Sequence, residues 1–110
     1  MPLSEKVRVE IFIPDLPDPS YSRLCEELGD ELSYAFGGCT AFHGAGKYRA
    51  DDGPILPDRV NVLFTDTPLQ RKSDRLLIER YANILREIVA RALLKEEAVL
   101  IAVYPVCHAA

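Results

Sequence analysis

The sequence predicts an α+β domain in which a four-stranded antiparallel sheet carries two helices on one face. Apolar side chains recur at three- and four-residue spacing over residues 21–35 and 77–95, which is typical of amphipathic helices. Strand patterns precede, separate and follow these two stretches, so the elements run β-α-β-β-α-β. Right-handed crossovers then favour the strand order 4-1-3-2 across the sheet.

The first strand and the first helix follow from the N-terminal third of the chain. Apolar residues alternate from Val7 to Ile13, which indicates a strand with one buried side. Three prolines within residues 14–19 stop this strand. Ser20 is the expected N-cap of the helix, and the pair Gly37-Gly38 is its expected end.

Two strands joined by a loop rich in Asp, Gly and Pro are predicted at residues 39–49 and 60–65. Gly44 and Gly46 inside the first of them suggest a bulge or a close backbone approach. The second strand is expected to turn one side towards the helices and the other side away. The side towards the helices is formed by Val60, Val62 and Phe64. The side facing away is formed by Asn61, Leu63 and Thr65.

The C-terminal part of the chain supplies the second helix and the last strand. A turn at residues 65–68 precedes the helix, and Thr67 or Ser73 is its expected N-cap. The helical pattern continues through Lys95. Residues 98–104 are apolar on both sides, so we expect both faces of this strand to be covered.

The sheet face without helices is the expected association surface. Phe12 and Leu63 are predicted there, together with either Leu100 and Tyr104 or the alternate residues of the last strand. An exposed apolar group of this size usually marks association or a ligand groove. We therefore expect a homo-oligomer, a homodimer in the simplest case, with Phe12, Leu63 and Tyr104 in the interface.

Four residues of the first hairpin strand are the candidate ligand-binding residues: His43, Lys47, Tyr48 and Arg49. His43, Lys47 and Arg49 share one side of the strand, and we expect that side on the helix-free face. The two cations and the imidazole would suit a small anionic ligand or an acidic protein partner. An alternative anion site is Arg71 and Lys72 at the start of the second helix, although no Gly-rich loop leads into it.

The residues with side chains of the kind that bind zinc are Cys39, His43, Cys107 and His108. Cys39 and His43 are four positions apart on a strand, a separation of roughly 13 Å, which is too far for one metal. The other pair is expected on the opposite edge of the sheet, so a metal site would need a second subunit. The acidic turn Asp51-Asp52-Gly53 lacks the spacing of an EF-hand calcium loop. We expect no metal and no cofactor.

The hairpin resembles small uncharacterised bacterial proteins of the ferredoxin-like, or α/β plait, class. The similar residues are Gly38-Cys39-Thr40, Gly46-Lys47-Tyr48 and Asp52-Gly53 before Val60-Asn61-Val62. They cover the middle third of the chain. The resemblance implies the ferredoxin-like fold, with two helices on one face of the sheet, and it implies no activity.

Composition limits the class of protein. The 110 residues suit a single domain over positions 1–110, with a net charge of −4. An acidic chain is a poor ligand for nucleic acid or an anionic membrane, so neither partner is expected. The N-terminal residues lack an apolar signal region, and the three cysteines are not spaced as CxxC. These features are typical of a reduced, cytoplasmic protein.

Two functions are consistent with these patterns. The first is a small non-enzymatic domain that self-associates and binds a partner or a small ligand on its sheet face. The second is a small enzyme whose site forms between subunits around residues 39–58, with His43, Tyr48 and His108 as acid–base groups. An interface that packs dry across Phe12 and Leu63 favours the first. A lined pocket containing His43 or Tyr48 favours the second.

Overall fold

The computed structural model describes residues 3–92 and 99–109. The elements are β1 (Leu3–Pro14), α1 (Pro19–Phe36), β2 (Thr40–Arg49), β3 (Ile55–Thr67), α2 (Arg75–Ala92) and β4 (Leu100–Ala109). The predicted order of strands and helices is therefore confirmed. The predicted continuation of the second helix to residue 95 and the start of the last strand at residue 98 lie outside the described residues.

The four strands form one antiparallel sheet in the order β2-β3-β1-β4. Read from the opposite edge, this is the order 4-1-3-2. Both helices pack on the same face of the sheet, since residues of α1 and α2 share one apolar cluster with the inner residues of β1. The arrangement is α+β and is consistent with a ferredoxin-like βαββαβ fold.

The core lies between the two helices and the inner side of β1. Every second residue of β1 from Val7 to Ile13 is buried, as the alternation predicted. Helix α1 contributes three fully buried leucines at helical spacing, Leu24, Leu28 and Leu32. The buried residues of α2 all come from its second half: Leu85, Ile88 and Val89.

The ends of α1 are set by two local contacts. Its N-cap is Asp18 rather than Ser20, because the Asp18 carboxylate accepts hydrogen bonds from the Ser20 backbone N (2.9 Å) and hydroxyl (2.7 Å). These bonds to the ionised form lower the pKa of Asp18. At the other end Gly37 takes a left-handed conformation, with φ 89°, and donates its N–H to the Ser33 carbonyl.

The predicted sidedness of β3 is wrong. The register pairs Leu63 with the buried Ile11 and Val62 with Phe12, so Leu63 faces the helices and Val62 faces away. Leu63 is 4% exposed and belongs to the core cluster. It therefore does not lie on the helix-free face, where it was expected as an interface residue.

Two polar residues on the buried side of β3 explain this error. Thr65 is 6% exposed because its hydroxyl donates to the Gly38 carbonyl at 2.7 Å, which satisfies the polar group inside the fold. Asn61 lies on the same side, opposite Ile13. In sequence, Asn61 and Thr65 made this the more polar side of the strand. Strand β3 also continues through Thr67, so the turn predicted at residues 65–68 begins later.

Within the single chain, β4 is covered on one face only, so coverage of its second face, as expected from the sequence, would need a second subunit. Strand β4 is an edge strand that pairs only with β1, and Leu100 is 58% exposed. The register places Leu100 and Tyr104 on the helix-free face, opposite Phe12 and Arg8. The β2–β3 ladder runs without a break through Gly44 and Gly46, so these glycines do not change the sidedness of β2.

Candidate functional site

An apolar row crosses all four strands on the helix-free face of the sheet. Leu100 of β4 pairs with Phe12 of β1. Phe12 pairs with Val62 of β3, which pairs with Phe42 of β2. The two ends of the row, Leu100 and Phe42, are 58% and 48% exposed, whereas Val62 at its centre is 3% exposed. Because neighbouring strands lie about 4.8 Å apart, the row is about 14 Å wide.

A hydrogen-bonded group of side chains, here called the polar cluster, lies beside this row. Its members are Arg8, Glu10, Asp66, Tyr104 and His108. Arg8 donates from Nε to Asp66 Oδ1 (2.6 Å) and from Nη2 to Asp66 Oδ2 (3.0 Å). His108 Nε2 lies 2.8 Å from Asp66 Oδ2. The Tyr104 hydroxyl donates to Glu10 Oε2 at 2.6 Å.

The charges of the polar cluster fix its protonation. The Arg8 guanidinium, with His108 as a second partner, lowers the pKa of Asp66, so this carboxylate is ionised at neutral pH. An ionised carboxylate only accepts hydrogen bonds, so His108 donates from Nε2 and a neutral ring has its free lone pair on Nδ1. The Asp66 carboxylate raises the pKa of Arg8 in return. The hydrogen bond to Glu10 raises the pKa of Tyr104.

Aromatic contacts join the polar cluster to the apolar row. The Arg8 guanidinium lies 4.3 Å from the centre of the Phe64 ring, a cation–π distance. Phe64 meets Phe42 edge-on, with ring centroids 6.1 Å apart. The helix-free face is thus one continuous surface in which the formal charges of Arg8 and Asp66 are paired within the chain.

The predicted ligand-binding residues do not come together. The register pairs His43 with Asn61, Lys47 with Pro57 and Arg49 with Ile55, which places all three on the helix side of β2. Their expected position on the helix-free face is therefore wrong, and it follows from the reversed sidedness of β3. Tyr48 pairs with Leu56 and faces the opposite way. All four side chains are exposed, and neighbours four apart in a strand are separated by roughly 13 Å.

Two of the three predicted interface residues lie on the helix-free face. Phe12 is in the apolar row, and Tyr104 is in the polar cluster. The third, Leu63, is in the core. On the helix-free face, Val62 occupies the position in β3 that was predicted for Leu63, and Phe42 occupies the position in β2 that was predicted for His43.

The candidate zinc ligands are dispersed. Cys25 and Cys39 are half-buried, and burial raises the pKa of both thiols, while Cys107 is exposed. His108 engages Asp66, whereas His43 lies on the other face of the sheet. Within residues 3–92 and 99–109, no three His, Cys, Asp or Glu side chains are close enough together to hold a metal ion.

The sequence prediction missed most of the polar cluster. Arg8 and Glu10 alternate with the core residues of β1, so a polar pair on the helix-free side was visible. Their partners were not visible, because Arg8 and Asp66 are 58 positions apart and Glu10 and Tyr104 are 94 apart. The sequence pattern indicates His108 as a zinc or acid–base residue and Asp66 as part of a turn, and neither role reveals their contact.

Neither helix in the described part of the chain is long and apolar enough to cross a membrane. The chain matches no family model and no curated protein sequence. Among solved structures it is similar to the crystal structure of a Bacillus cereus protein related to NIF3, with a TM-score of 0.51 and 16% sequence identity. The match covers 96% of this chain but only 27% of the B. cereus chain, so this chain spans about a quarter of that protein. At this identity the similarity concerns the fold alone, and it supports an α/β class.

Proposed function

We propose that the chain is a self-associating binding module and that a second copy of the chain covers the helix-free face. The observation that carries this proposal is the apolar row on the face without helices, in which the half-exposed Leu100 and Phe42 flank Phe12 and the buried Val62. Exposed apolar surfaces of this kind usually mark sites of association. When two sheets pack face to face, they lie about 10 Å apart, and a row of this kind is buried between them.

The Arg8–Asp66 pair suits a symmetric contact, whereas Glu10 on the same face accepts the Tyr104 hydroxyl and has no cationic partner among the described residues. In a two-fold interface the same patch is used by both copies, so an unpaired charge near the axis would meet its own equivalent. Arg8 is already paired with Asp66 in a two-point contact, with side chains 26% and 17% exposed. The desolvation free energy of burying this pair is smaller than that of burying two separate charges, because each charge already has its partner before association.

The required interface is modest relative to the size of the chain. A standard specific interface buries about 800 Å² on each partner. That is roughly a tenth of the 7768 Å² surface of the chain. The helix-free face comprises one side of four strands of 10–13 residues each.

Light scattering coupled to size-exclusion chromatography tests the proposal. We expect a mass of twice 12.3 kDa at the upper end of a concentration series. The substitution Phe42→Glu places a charge in the apolar row at a half-exposed position, so it should give a folded monomer. The matched control is Tyr34→Glu on α1, where the ring is 93% exposed, and it should remain dimeric. A wild-type monomer at all concentrations would overturn the proposal.

A second candidate is a small enzyme whose site forms between subunits, and one observation favours it. His108 Nε2 lies 2.8 Å from the ionised Asp66, which orients the ring, and the Nδ1 of the neutral ring could then accept a proton as a general base does. The earlier set of His43 with Tyr48 is not favoured, because those side chains leave opposite faces of β2. A panel of nitrophenyl esters and phosphates tests this candidate. If the chain is an enzyme, the wild type should turn over one of these compounds, and His108→Gln should abolish that turnover while remaining dimeric.

A further inference from the structure

A cleft of about 560 Å³ lies on the helix side of the sheet, between the start of α2 and β4. It is separate from the apolar row on the opposite face. The β4 segment 103–105 and Val7 of β1 form its floor, and Ile78 closes it towards the core. Its volume falls within the range of small-molecule sites in proteins, about 300–1,000 Å³.

The sequence explains why this space is not filled. The buried residues of α2 begin at Leu85, in its second half. Before that point Ile78 is the one apolar side chain of α2 that reaches the cleft, since Leu76 and Leu77 are 72% and 53% exposed. On the strand side, Val103 and Pro105 are too short to close the gap. A small apolar void lined by Leu85 and Val9 continues the cleft into the core.

The rim of the cleft is cationic. Arg71, Lys72 and Arg75 line it, and Glu79 is the one acidic residue among its lining side chains. Arg75 donates to Glu79 at 3.2 Å, so that pair is neutral overall. Among the residues that the structure describes, neither Arg71 nor Lys72 forms an ion pair. At the rim of this cleft, Arg71 and Lys72 therefore leave two cationic groups without an acidic partner in the part of the chain that the structure describes.

Among the described residues, the nearby acidic groups form no ion pair with Arg71 or Lys72. Asp74 accepts the Gln70 backbone N–H at 2.8 Å and so closes the turn before α2. Glu5 lines a neighbouring cleft of about 400 Å³ that also contains Arg71 and Lys72. The positive end of the α2 dipole adds to the potential at the same rim. An apolar floor below two unpaired cations suits a ligand with one anionic end and one apolar end.

We propose that this cleft binds a small amphipathic organic anion, with its anionic group at Arg71 and Lys72 and its apolar group on Val7 and Val103. The anionic group is a phosphate or a carboxylate, since both accept charge-assisted hydrogen bonds from Arg and Lys. The proposal is independent of self-association, because the apolar row and the cleft lie on opposite faces of the sheet.

Titrations followed by two-dimensional NMR of the labelled protein test the proposal with four probes: phenyl phosphate, benzoate, inorganic phosphate and phenol. Phenyl phosphate or benzoate should shift the amides of Val7, Val103 and Arg71 at about 1 mM or below, and more strongly than inorganic phosphate and phenol. The stronger of the two identifies the anionic group. Equal binding of phenol would overturn the proposal, and so would shifts confined to Phe42 and Val62 on the other face.

Substitutions in the rim separate the site from general charge effects. The double substitution Arg71→Gln with Lys72→Gln should weaken binding of the preferred probe about tenfold or more. The matched control, Arg23→Gln with Arg80→Gln, removes the same charge from exposed positions outside the cleft and should leave the affinity unchanged. Glu79→Gln frees Arg75 and should tighten binding, a gain that unfolding cannot imitate. Equal losses in the rim and control variants would overturn the proposal.

Discussion

Val62 and Leu63 are neighbours in β3 and are 3% and 4% exposed, but they are buried by different parts of the molecule. Leu63 lies in the core between the sheet and the helices. Val62 lies on the helix-free face, where its cross-strand neighbours are Phe12 and Phe42. Low exposure in this fold therefore has two meanings. One is burial in a closed core, and the other is shelter under side chains that are themselves half-exposed.

The two faces also treat polar groups differently. On the helix side, Thr65 satisfies its hydroxyl locally by donating to the Gly38 carbonyl. On the helix-free side, Arg8, Asp66 and His108 form a shared network across the strands. The network on the helix-free side therefore connects ionisable groups of three strands, whereas the hydrogen bond on the helix side connects two neutral groups.

The largest expected effect separates the two kinds of burial. Leu63→Ala should lower the free energy of unfolding by about 3 kcal/mol, because the rigid core cannot close the cavity. Val62→Ala should cost about half as much, since it removes two carbon atoms rather than three and since Phe12 and Phe42 can move into the space. Denaturant unfolding at protein concentrations where light scattering gives the monomer mass removes the contribution of association. Equal losses at the two positions would show that the helix-free face is packed as tightly as the core.

A second prediction concerns pH and the polar cluster. The folded chain lowers the pKa of Asp66 below its usual 3.8, so the carboxylate stabilises the fold above about pH 4. That contribution is lost as the pH falls through the lowered pKa, because the unfolded chain binds the proton first.

Asp66→Asn should therefore cost about 1 kcal/mol at pH 7, where Arg8 loses its charged acceptor, and progressively less than that in acid. Unfolding curves between about pH 7 and pH 3 measure the difference from wild type. The control is Asp30→Asn, at an exposed position of α1 outside the polar cluster. A constant difference across this range would contradict an ionised Asp66 in the network.

The order of the strands and helices could be predicted because it depends on local periodicity. Alternation in β1 and the leucines of α1 carry the signal within each element, and the structure buries both sets. The sidedness of β3 depends instead on a contact between Thr65 and Gly38, 27 positions apart. No spacing within β3 reveals that contact, so the polar Thr65 pointed the prediction to the wrong face.

The candidate site was less predictable than the fold for the same reason. His43, Lys47 and Arg49 were correctly grouped on one side of β2, but their face followed from that of β3. The polar cluster joins β1 to β3, β1 to β4 and β3 to β4 through pairs that are 58, 94 and 42 positions apart. The cleft beside α2 likewise exists because the first half of α2 is separated from β4, and this separation is a tertiary feature. Arg71 and Lys72 were visible in the sequence as an alternative anion site, but the apolar floor below them was not.

The smallest expected change in the free energy of unfolding comes from replacing Thr by Val on each face of the sheet. Thr65→Val keeps the shape of a side chain that is 6% exposed and removes its hydrogen bond to Gly38. The loss should stay below about 1 kcal/mol, because the exposed Gly38 carbonyl regains water and the new methyl group is buried. Thr40→Val on the exposed, helix-free side of β2 should be close to neutral. Denaturant unfolding measures both, and hydrogen exchange at residues 37–40 should rise only in Thr65→Val, since that bond ties the α1–β2 connection to the core. If Thr40→Val lowered the free energy of unfolding as much as Thr65→Val, the hydrogen bond from Thr65 to Gly38 would not distinguish the core from the open face.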